Sequence, residues 1–162
     1  MKKTCSLSHG TATLTRRRLL IGAVSLSVIL QLEACKPRRG AERIRCAFCG
    51  MSIAPDSRWQ AGARASAGEA LHFDTPACLH RYRLQGASDR LREPWVIEYY
   101  GPASAHRSAL DMSYVQGSTV TGPMGADLIP LEAGNVARFR ADHGGVRVLR
   151  YDEITAAVIN AL

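Results

Sequence analysis

Cys46-Ala47-Phe48-Cys49-Gly50-Met51 puts two thiols and a thioether within six residues. A two-residue spacer lets both cysteine sulfurs converge on one ion while backbone N–H groups point at the thiolates, and a glycine directly after the second ligand tolerates a positive φ. Cys78 follows 29 positions after Cys49, in the first turn of a helix expected to open at Pro76. A helix N-terminus there favours the thiolate. Met124 stands in Thr121-Gly122-Pro123-Met124-Gly125, where the flanking proline and glycine display the side chain on a loop. Thiolate plus thioether is the donor set that selects Cu(I) over harder ions, and a zinc site has no use for methionine. His72, on the segment leading to Cys78, is a candidate auxiliary ligand; His80, His106 and His143 rank behind it.

Other chemistry fits part of this set. Cys46, Cys49 and Cys78 with a fourth ligand suit a structural zinc module. A redox disulfide between Cys46 and Cys49 would need a strand before the motif and a helix after it, and Pro55 and Asp56 oppose that helix. Asp74 ahead of Cys78 leaves room for a cysteine-based lyase. Met51 and Met124 also suit a role as core filler. Three cysteines in the folded part are an odd number, so complete intramolecular pairing is impossible.

The elements that must position these sulfurs can be read locally. Residues 59–65 alternate as a strand, and residues 70–73 pair with it across Ser66-Ala67-Gly68-Glu69. Thr75 reads as an N-cap, with Pro76 at the first helical position. That helix runs to Gln85, with Leu79, Tyr82 and Leu84 as its apolar face, and stops at Gly86. Residues 95–100 form a β-branched and aromatic strand; 113–116 and 126–131 are weaker strands. A helix is expected over 135–142, a strand over 146–151, and a last helix capped by Asp152 and reaching Ala161. Strands and helices mix without strict alternation, which predicts an α+β fold: a small mixed sheet with helices packed on it. No internal repeat of fixed period is visible.

The 162 residues, 46% apolar, suit one globular domain. The net charge of +7 suggests nucleic acid until its location is considered. Lys2, Lys3, Arg16, Arg17 and Arg18 precede the apolar run from Leu19 to Leu32, and the remainder is close to balance, so no nucleic-acid partner is expected. That run is too short to span a membrane and suits a signal core. With Arg16-Arg17 before it, residues 1–34 resemble a twin-arginine lipoprotein signal. Leu32-Glu33-Ala34-Cys35 resembles a lipobox with an atypical Glu33, making Cys35 the lipidation site and Cys5 part of the removed segment. An uncleaved anchor with Cys35 as bystander is the alternative. Residues 35–45 then form a lipidated tether and 46–162 the metal-binding domain. More than one acyl chain gives a stable membrane anchor. The expected location is the periplasmic face of a bacterial membrane, with Lys36, in place of an aspartate after the cysteine, favouring the outer one.

Cys46-x-x-Cys49-Gly50-Met51-x-Ile53, Phe73-Asp74 with Cys78 four on, and Tyr114-Val115 before Pro123-Met124-Gly125 together resemble the NosL family of nitrous oxide reductase accessory proteins. The resemblance runs from Cys46 to about Tyr151. The cysteine spacing is also similar to that of small TRASH-type metal-binding modules. The family resemblance implies a non-catalytic, lipid-anchored copper chaperone that delivers Cu(I) to nitrous oxide reductase, beside other periplasmic copper-handling proteins. It implies Cys49 and Met51 as first ligands, then Cys46 and Met124, and a fold of ββα units like the organomercurial lyase domain. The chain departs from the family pattern at Thr75, where a second acid is usual, and at Gly122, where threonine is usual.

Overall fold

The computed structural model describes residues 43–87 and 91–162. The expected signal (Arg16, Arg17), the lipidation site Cys35 and most of the tether lie outside the described residues. Among the described residues no helix is long and apolar enough to cross a membrane.

Two short antiparallel sheets carry the chain. In the first, β1 (Ala61–Ala65) is flanked by β2 (Ala70–Phe73) and β3 (Leu91–Ile97), with β4 (His106–Ser108) outside β3. Between β2 and β3 runs α1 (Pro76–Tyr82). In the second sheet, β5 (Ser113–Ser118) is central, between β8 (Ile129–Leu131) and β9 (Gly144–Leu149). A hairpin of β6 (Thr121–Gly122) and β7 (Gly125–Ala126) is inserted after β5, and α2 (Val136–His143) precedes β9. Each sheet therefore repeats one plan, strand–strand–helix–strand with the first strand in the centre. The helix α3 (Ala156–Asn160) closes the chain. The fold is α+β as expected, with antiparallel pairing in place of a mixed sheet.

The main core joins both sheets. Ala61, Phe73, Leu79, Val96, Tyr114, Leu128 and Ile159 are buried in one cluster that also takes in Cys46 and Cys78. A smaller cluster of Val115, Ile129, Leu131 and Phe139 lies under α2. The tightest packing in the first sheet is at Gly62. It pairs with His72 on one side and Trp95 on the other, and a Cβ there would lie 2.4 Å from the Trp95 ring. Only glycine leaves room for the indole to lie over β1.

Several boundaries differ from the sequence reading. The third strand begins at Leu91, not Trp95, and ends at Ile97, because Tyr99 and Tyr100 turn away after Tyr99 N–H bonds to the Pro130 carbonyl. The expected strand over 126–131 is two pieces separated by Asp127 and Leu128. The first helix ends in a wide turn over Arg83–Ala87, with Gly86 at φ +84. Leu84 faces solvent while His80 is buried, so the buried face is rotated from the one expected. The cap of the last helix is Thr155, not Asp152; instead the neighbouring Glu153 carboxylate accepts the Arg150 N–H at 2.7 Å.

Candidate metal centre

The segment from Ile44 to Ile53 folds back on itself as a knuckle. Ile53 N–H bonds to the Ile44 carbonyl, Cys46 N–H to the Met51 carbonyl and Gly50 N–H to the Cys46 carbonyl. Gly50 has φ +75, the left-handed conformation expected after the second cysteine. Arg45 donates to the Gly50 carbonyl at 3.0 Å, clamping the turn from outside. Ala47 N–H bonds to the His72 carbonyl at 2.8 Å, which fastens the knuckle to β2. The strand that follows the knuckle in sequence is thus not the one that holds it.

The third sulfur comes from α1. The N-cap Thr75 accepts Cys78 N–H through its hydroxyl at 3.2 Å, with Pro76 at the start of the helix as expected. An N-cap of this kind contributes about 1 kcal/mol, and here it fixes the residue carrying the thiol. The sulfurs of Cys46, Cys49 and Cys78 lie within 4.8 Å of one another, and all three cysteines are free. Cys46 and Cys78 are 3% and 1% exposed, whereas Cys49 is half-buried.

The protons on this triad are unequally held. Cys46 accepts the Cys78 thiol and the amides of Cys49, Asp74 and Phe48. Those donors outweigh burial and hold its thiol far below the ordinary range. Cys78 is pushed far up, first as the donor to Cys46 and then by burial. Burial raises Cys49 as well. The sequence reading placed the favoured thiolate on Cys78 at the helix N-terminus; in the structure it is Cys46, because the helical thiol spends its proton on its neighbour. Asp74 lies alongside, its carboxyl pushed up by burial and then by Cys46, and its Oδ2 makes no hydrogen bond.

None of the expected histidines joins the three-cysteine group. Met51 is 46% exposed and Met124 48% exposed, Met124 at the two-residue turn between β6 and β7. Both are displayed rather than buried as core. His72 turns its ring edge-on to Trp95, 6.3 Å between centroids, and its Nδ1 is buried without a partner. His80 is fully buried between Tyr114 and Tyr151; burial holds it neutral, down to about 3. His106 stacks on Trp95 at 3.6 Å, and His143 packs on Phe139.

Sequence reasoning missed Asp127. It is buried, and its Oδ1 accepts the Ala77 N–H at 3.0 Å and its own neighbour Leu128 N–H at 2.8 Å. The Thr75 hydroxyl, which caps Cys78, also bonds to this carboxylate. The available signal was an acid interrupting an apolar strand, which does not reveal a partner fifty residues earlier.

Three thiols gathered on an α+β frame, one of them poised as a thiolate, define a site for a thiophilic ion. A NosL family model matches residues 39–159, and the chain belongs to the NosL family. Its fold is similar to the crystal structure of the copper chaperone NosL from Shewanella denitrificans, at 22% identity and a TM-score of 0.60, over 75% of this chain and 99% of that one. Among curated proteins none matches.

Proposed function

We propose that this chain is a copper chaperone, a carrier and not an enzyme, which binds one Cu(I) through sulfur and hands it to the copper centres of nitrous oxide reductase. In this reading it works at the periplasmic face of a bacterial membrane, exported by the signal carrying Arg16 and Arg17 and held by lipid on Cys35. The observation that carries the proposal is the convergence of the Cys46, Cys49 and Cys78 sulfurs within 4.8 Å. Membership of the NosL family supports it, as does the likeness to a protein described as a copper chaperone.

The geometry suits a cargo that is held and then released. Cu(I) is a soft ion for which thiolates outcompete harder donors. Cys46 offers a ready thiolate; Cys49, at the solvent side, and Cys78, below it, complete a sulfur-only seat. Met51 and Met124 are exposed thioethers suited to capping the ion, and His72 is the nitrogen donor nearest the knuckle along the backbone. A seat with three cysteines and weak outer donors leaves a position open to an acceptor's ligand, whereas four thiolates would close it. Transfer then proceeds by ligand exchange on the exposed side.

Anaerobic titration of the reduced protein against a colorimetric Cu(I) chelator tests this. One Cu(I) per monomer is expected, with affinity falling sharply in Cys49→Ser and less so in Met51→Leu. Wild-type protein that ignores Cu(I), or a variant lacking the knuckle sulfurs that binds equally well, rejects the carrier. The three-cysteine cluster also suits zinc, and stoichiometric zinc retained against added Cu(I), with folding lost on chelation, would favour a zinc-stabilised module. Transfer of bound copper to copper-free nitrous oxide reductase tests the client separately.

A further inference from the structure

The buried carboxylate of Asp127 joins two parts of the molecule that the sequence keeps fifty residues apart. On one side it accepts the N–H of Ala77, the residue before Cys78, and meets the Thr75 hydroxyl that caps Cys78. On the other it immediately follows the β6–β7 hairpin, whose strands pair Thr121 with Ala126 and Gly122 with Gly125. Met124 lies in the turn of that hairpin, three residues before Asp127. Three residues span at most about 11 Å, and adjacent Cα atoms are about 3.8 Å apart. The carboxylate therefore roots the exposed Met124 turn at the N-terminus of the helix that carries the third sulfur.

We infer that Asp127 is a positioning residue for copper binding: it staples the Met124 hairpin to the Cys78 helix so that the thioether is held over the sulfur triad. The inference rests on the copper-carrier reading and names how its outer donor is set. Gly122 is the matching clearance. A Cβ at Gly122 would stand 3.3 Å from Asp127 Oδ2 and 3.4 Å from the Trp59 ring, closer than most real contacts. A branched side chain at this position would push on the staple. Asp127 touches no sulfur, so its influence passes through the backbone of two elements rather than through the ion. Removing such a supporting contact commonly weakens metal affinity about 10- to 100-fold.

Two readouts test the staple. In copper-free protein with ¹³C-methyl-labelled methionine, Asp127→Ala should move and broaden the Met124 methyl resonance while those of exposed Met51 and buried Met112 stay. Asp127→Asn, which keeps Oδ1 as acceptor for Ala77 and Leu128, should restore the wild-type position. In Cu(I) competition, Asp127→Ala should weaken binding about 10-fold or more. It should cause no further loss in a Met124→Leu background, since the two changes remove the same contact. Should Asp127→Ala fail to fold, Gly122→Val supplies the same displacement from the hairpin side. An unmoved Met124 methyl in these variants, or a copper loss that persists undiminished without Met124, overturns the staple. Wild-type protein that takes up no Cu(I) refutes the carrier reading instead, while the methyl spectra of the copper-free protein still test the staple.

Discussion

Replacing Cys78 with alanine should raise the ionisation midpoint of Cys46, although the two lie 32 positions apart in sequence. In the structure the Cys78 thiol is the strongest of the donors that hold Cys46 as a thiolate, ahead of three backbone amides. A hydrogen bond to a charged acceptor is worth about 1.5–3 kcal/mol. One pH unit corresponds to about 1.4 kcal/mol, so the midpoint should rise by about one to two pH units. It should not return fully to the ordinary thiol range, because the amides of Cys49, Asp74 and Phe48 remain. The sign carries into stability. A thiol held low in the folded state contributes stability that is present above its unfolded value and lost as pH falls through its folded value. The variant should therefore show a shallower gain of stability as pH rises from acid toward neutral. ¹³Cβ-cysteine NMR across a pH series reads the midpoint directly, and Cys78→Ser, whose hydroxyl still donates, serves as the control. A Cys46 midpoint that stays put or falls in Cys78→Ala would refute the assignment of the shared proton.

The same unequal protonation predicts proton release on loading. With Cys46 ionised, and Cys49 and Cys78 held protonated, binding through all three thiolates near neutral pH should expel two protons. The logarithm of the Cu(I) affinity should then climb by about two per pH unit; a slope of three would mean that Cys46 is not ionised beforehand. Gly62→Ala drives a Cβ into the Trp95 indole at 2.4 Å, so urea unfolding should show a loss of about 1–3 kcal/mol; a neutral outcome would mean that β1 and the indole separate freely. Burial pushes Asp127 up to about 6, so the folded state keeps this proton longer than the unfolded chain does. Asp127's own contribution to stability should fall by about 3 kcal/mol as pH rises from about 4 to about 6, opposing the gain from Cys46 over the same window. Asp127→Asn should flatten that fall, and urea midpoints at the two ends of the window check it.

Local chemistry was well expressed in the sequence. Thr75-Pro76 fixed the start of α1 because a cap and a proline act on their own neighbours. Gly50 marked the positive φ after Cys49, and the turn at Ala67-Gly68 made β1 and β2 pair. The place of Cys78 in the first helical turn was legible too, whereas its convergence with the knuckle depends on the Ala47 to His72 backbone bond that docks the knuckle on β2. What stayed hidden was non-local. β4 is an exposed three-residue edge without apolar alternation, held by its pairing with β3 rather than by any pattern of its own. Pro94 and the charged Arg92 and Glu93 masked the first half of β3, which is stabilised by pairing with β1. The repeated strand–strand–helix–strand plan leaves no period in the residues, because the first copy carries the thiols and the second carries the inserted hairpin. His80 reads as a surface residue beside Arg81, yet it packs between two tyrosine rings contributed from far along the chain. The direction of proton sharing between Cys46 and Cys78 depends on amides that spacing alone does not place.

The graded depth of the three sulfurs has a chemical consequence. Cys46 and Cys78 lie beneath the surface and only Cys49 stands partly in the open. Bulky oxidised thiols therefore meet one cysteine before the others. That outermost cysteine also keeps its proton more tightly than normal, which slows its attack on a disulfide. The reactive anion is sheltered and the accessible sulfur is sluggish, a division of labour that, in the proposed copper carrier, guards the empty site against capping before cargo arrives.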